Sequence, residues 1–146
     1  MQRRSFHPLP TVLLTALLLT GLPSSLVAQS ALSGADSAAA VARRQLDLGE
    51  QWFQSACLSC HAIGAVTDDD FRLKWNGRSA FDLFDRIRST MPAANPGSLT
   101  QSTYAAIVAY LMKANGMPAR TRAVSRDSSA LAAIRLVFPP TTTTGR

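Results

Sequence analysis

The stretch on which the reading turns is Cys57-Leu58-Ser59-Cys60-His61. Its two cysteines are the only ones in 146 residues, which excludes a disulfide-rich framework and a four-cysteine zinc site. On a helical turn, positions 57, 60 and 61 project from one side, so two thiols and an imidazole face a common partner. A structural zinc needs four ligands, and two cysteines with one histidine supply three. A thioredoxin-like CxxC needs a βαβ setting. A plain disulfide leaves His61 without a purpose.

The N-terminus narrows the setting. Arg3 and Arg4 precede an apolar run over residues 12–22, and Pro23, two serines and Leu26-Val27-Ala28 follow it. This is the layout of a secretory signal, with cleavage expected after Ala28. The run is too short for the ~20 residues that span a bilayer, and no permanent membrane anchor is expected. Arg3-Arg4-Ser5-Phe6 also hints at a twin-arginine signal, although His7 stands where a hydrophobic residue is usual. Cleavage leaves 118 residues with 13 Lys/Arg against nine Asp/Glu, lowering the net charge from +6 to +4. Charged residues make up only 16% of the chain, which argues against a polybasic arm, and no nucleic-acid partner is expected.

In an exported chain, CxxCH reads as the attachment motif of a c-type haem. The thiols of Cys57 and Cys60 add across the two vinyl groups, and His61 swings under the iron as proximal ligand. Cleavage removes His7, so no second histidine remains for the other axial position. Three methionines then compete. Met112 falls on an apolar helical stripe, where methionine is usually packing. Met117 sits beside Pro118. Met91 lies between a helix end and a Pro-Gly turn, which can hold its side chain in a fixed orientation, and it is favoured over the other two.

The rest of the chain reads as all-α. Residues 29–43 are expected to be a flexible lead-in, because 29–40 are small and polar with little to bury. A first helix is expected over 41–57, with Leu48, Trp52, Phe53 and Ala56 at helical spacing. Residues 62–77, with Gly64, Asp68-Asp69-Asp70 and Asn76-Gly77, read as loop. Ser79 is a plausible N-cap for a second helix that ends before Pro92. Tyr104, Ile107, Val108, Leu111 and Met112 mark a third helix over 101–115. Residues 119–146 read as an extension with a short helix around 129–136 and a loose tail.

The whole resembles a class I cytochrome c, more closely the small cytochrome c domains that serve bacterial periplasmic dehydrogenases and oxidases. The resemblance covers residues 44–118, with the Leu131–Arg135 stretch as a further piece. It rests on Gly49, Phe53, Cys57, Cys60 and His61, then Trp75-Asn76-Gly77-Arg78, Thr90-Met91-Pro92 and Asn95-Pro96-Gly97-Ser98-Leu99. Tyr104, Tyr110-Leu111 and Asn115-Gly116 complete it. It implies three to five helices around one covalently attached haem, Met91 as distal ligand, and Gly49 and Phe53 packed across the last helix near Tyr110. Trp75 and Arg78 would then lie near the haem propionates. One departure stands out: no proline occurs between His61 and Met91 to orient the imidazole through its carbonyl, so a carbonyl within 62–75 must do so.

The implied function is one-electron transfer in the bacterial periplasm, with a dehydrogenase, oxidase or other cytochrome as redox partner. An electron-accepting subunit of a dehydrogenase complex, and a haem enzyme or sensor with an open iron site, are the alternatives. Arg72, Lys74, Arg78, Arg86 and Arg88 form a candidate positive rim for acidic partners, interrupted by Asp82 and Asp85. A core of this size is marginal alone, so the haem and its tethers supply much of the stability. Circular dichroism of the Cys57→Ala/Cys60→Ala double variant should therefore show lost helix; native helicity would overturn this.

Overall fold

The computed structural model describes residues 24–118 and 120–140. The export signal assigned to 1–28 lies outside these, apart from its last five residues, and so does the tail beyond 140. Five α-helices follow in order: α1 (Ser24–Ala56), α2 (Asp69–Trp75), α3 (Ala80–Thr90), α4 (Gln101–Ala114) and α5 (Ser128–Ala132). A 3₁₀ turn (Ile63–Val66) separates α1 from α2. No strand occurs among the described residues, so the architecture is the expected all-α one. None of these helices is long and apolar enough to cross a membrane.

The lead-in is the first correction. Residues 29–40 are helical and belong to α1, which runs for 33 residues, about 50 Å. Their alanines, poor in core value, are the best helix formers, and they extend a helix already nucleated by the packed part of α1 rather than start one of their own. Packing begins further along, at Ala42, which is buried.

The second correction concerns 62–77. The aspartate run read as loop is a helix start: the Asp68 side chain accepts from the Phe71 amide at 2.8 Å, and Asp69 and Asp70 occupy the first turn of α2. Carboxylates there complement the helix dipole. One turn apart, Phe71 and Trp75 bring their rings to 6.2 Å and turn towards the core. Ser79 caps α3 as expected, and Asp82 reciprocates by accepting from the Ser79 amide at 2.9 Å. Hydrogen bonds from the Ser79 hydroxyl and amide hold the Asp82 carboxyl below the usual carboxylate range. The cap therefore holds at neutral pH and weakens as pH falls through that lowered value.

Helix α4 is the centre of the fold. Residues 103–109 are all buried, because α1 covers one side and α3 packs against another. The α1–α4 crossing is the most extensive helix contact, and Gly49 makes it possible. A β-carbon there would fall inside the van der Waals envelope of the Ala106 carbonyl and 3.0 Å from the Tyr110 β-carbon. One turn on, Phe53 meets Tyr110 with rings tilted and centroids 5.5 Å apart, as the resemblance implies.

The C-terminal extension carries the expected short helix, α5, and packs on the domain as a strap as far as Phe138. Val124 and the Gln45 side chain exchange two hydrogen bonds, of 2.8 and 2.7 Å. Leu131 and Leu136 are fully buried. The strap then pairs with the turn before α3: Ala80 donates to Ile134, Leu136 to Arg78, and Gly77 to Leu136 at 2.7 Å. Gly77, with φ of 76°, makes that turn without strain.

Helix propensity alone would let Gly49→Ala stabilise α1 by about 1 kcal/mol. Overpacking against Ala106 costs about 3 kcal/mol, so the variant should lose about 2 kcal/mol net. Urea denaturation checks this, and a more stable variant would refute the crossing.

Candidate haem site

The motif continues the last turn of α1. Cys57 and Leu58 both donate to the Phe53 carbonyl, and the Cys57 carbonyl in turn accepts from Cys60 at 3.0 Å and His61 at 2.9 Å. That tight turn gathers the two sulfurs and the imidazole on one side, as the spacing requires. Neither cysteine is in a disulfide. Burial pushes the Cys57 thiol up, so in the absence of a partner it stays protonated.

All three side chains line one cavity of about 400 Å³, within the ~300–1,000 Å³ of typical cofactor sites. Its walls are mainly apolar: Phe53 from α1, Leu83 and Ile87 from α3, and Ile107 and Leu111 from α4. Met91, the residue closing α3, lines the same cavity. Met112 is buried in the core and Met117 packs against that core, and neither reaches the cavity.

Trp75 is buried and forms part of the lining. Arg78 does not: it is exposed, with its guanidinium carbon 5.1 Å from the Trp75 ring centroid. The cations that do line the cavity are Lys74 and Arg86. Lys74 follows from helix geometry, since it shares α2 with Phe71 and Trp75, a helix that the sequence reading treated as loop. Arg86, a member of the candidate rim, lies one position before Ile87 and two after Phe84, which turns it onto the lining. The proposed rim is correspondingly thinner: Arg88 is paired with Asp85 at 2.7 Å, and Arg72 donates to Asn115 at 3.3 Å.

The donor set fits a covalently held haem. Two free thiols, one imidazole and one thioether converge on an apolar cavity with two cations on its lining, where carboxylates can be neutralised. The zinc reading fares worse, since no group of three or more His, Cys, Asp or Glu among the described residues could hold a metal ion. The thioredoxin reading finds no strands among the described residues.

Comparison with known proteins agrees. Residues 44–111 match the family model described as cytochrome c oxidase, cbb3-type, subunit III. Neither the curated proteins nor the solved structures yield a match. Motif, cavity and family match fall on the same stretch of chain, and residues 44–111 constitute a c-type cytochrome domain.

Proposed function

We propose that this domain is an exported one-electron carrier with one haem c, tethered by Cys57 and Cys60 and ligated by His61 and Met91. The observation that carries the reading is the convergence of these four side chains on a single apolar cavity. When bound, the haem supplies an iron that alternates between two oxidation states. The chain's own residues set how readily it does so. The soft Met91 thioether favours the reduced iron and raises the potential relative to a second imidazole. With His61 and Met91 both holding the iron, no site would be left on it for a substrate. Apolar walls would keep water away, and Lys74 and Arg86 on the lining would offset the propionate charges.

Met91 is held by more than its place in sequence. The buried Tyr104 hydroxyl donates to the Met91 carbonyl at 2.8 Å and accepts from the Leu99 amide at 3.3 Å. This spans the loop from its first residue to its last turn and limits how far the thioether can swing away. The leader-like N-terminus supports export to the periplasm. The family description names an oxidase subunit, which favours an oxidase chain as redox partner over a dehydrogenase or another cytochrome.

Protein from cells with haem-attachment machinery should retain haem after denaturing electrophoresis. Its oxidised form should show a thioether-to-iron charge-transfer band that Met91→Ala abolishes. Rapid carbon monoxide binding by the untreated reduced protein would point instead to an open iron site. Tyr104→Phe should keep the haem, lose about 1–2 kcal/mol of stability and bind carbon monoxide faster than the parent. Unchanged binding kinetics would remove Tyr104 from the Met91 limb.

A further inference from the structure

The family match stops at Leu111, short of a residue that touches three parts of the domain. Asn115 is fully buried at the end of α4. Its side-chain amide donates to the Leu111 carbonyl at 2.9 Å and to the Val66 carbonyl at 2.8 Å. Its oxygen accepts from the Arg72 Nε at 3.3 Å. Both amide hydrogens and the oxygen are therefore engaged.

Ending a helix does not call for this side chain. The Asn115 backbone amide already closes α4 on Leu111 and Lys113, its φ is −89°, and the left-handed position falls on Gly116. What the side chain adds is a link from α4 to the 3₁₀ turn and to α2. The backbone bonds within 62–75 are otherwise short-range ones that shape the turn and the helix but do not fix them to the domain. This same segment supplies Ala65, Val66, Phe71, Lys74 and Trp75 to the cavity lining, begins beside His61, and has no proline.

We infer that Asn115, acting through Val66 and Arg72, is the positioning residue that fixes the 62–75 wall of the haem cavity. The inference rests on the haem reading above. Beside the packing of Phe71 and Trp75 on the core, it gives the wall a hydrogen-bonded tie through one amide lying beyond the matched segment.

The test compares haem-loaded parent and Asn115→Asp proteins by amide hydrogen exchange and redox titration. Aspartate keeps an acceptor for Arg72 and removes both donors. Exchange should rise on the order of tenfold within 62–75, the loss expected for one buried hydrogen bond, and stay unchanged across the α1–α4 crossing. The midpoint potential should fall, because a loosened wall admits water that stabilises the more highly charged oxidised iron. Arg72→Met, which removes only the other limb, should act on the same segment more weakly and keeps the test open if aspartate prevents folding. Unchanged exchange and potential, or a uniform rise across the whole domain, would overturn the inference. Absence of covalent haem from the parent itself would instead overturn the cytochrome reading, and this inference with it.

Discussion

The approach of α1 to α4 at Gly49 is the contact on which the rest depends. Because no β-carbon stands between the two backbones, Phe53 reaches Tyr110 and the end of α1 is carried onto the face of α4 that bears Ile107 and Leu111. The attachment motif begins at that end, so its sulfurs meet the cavity by virtue of a glycine two turns earlier. A helix pair held further apart would leave the motif facing solvent.

Helix α4 then serves two masters. Towards the cavity it offers apolar walls, while its polar side chains sit near its two ends and hold loops. Tyr104 near the start ties the Met91 loop, and Asn115 at the finish ties the segment after His61. No buried side-chain polar atom is left without a hydrogen bond among the described residues. A buried polar network stabilises only when every member is satisfied, and here the satisfied members are the ones that aim the site.

Much of this was legible in the sequence, and the gaps have physical causes. The Ser79 cap and the α4 stripe stood out because a cap and a 3.6-residue period are local signals. The α2 helix was hidden because aspartate serves equally as turn residue and helix N-terminus, and seven residues carry too little periodicity to decide. Arg78 entered only through the resemblance, and the turn carries it out of the cavity lining and onto the Trp75 ring. The cations on the lining are set by the rotation of α2 and α3, which no local motif reveals. Met91 could be favoured by elimination, but Tyr104 as its clamp required the loop to be folded back over α4.

Likeness and hydrogen bonding draw the edges of this domain in different places. The family match closes at Leu111, whereas the turn between Trp75 and α3 finds partners for the Gly77 and Ala80 amides and the Arg78 carbonyl only in Ile134 and Leu136. A gene trimmed to the matched residues would encode the motif, Met91 and the helix crossing, yet leave the Trp75 side of the vessel unlatched. For this chain, the smallest piece that can be cut out whole extends at least to Phe138.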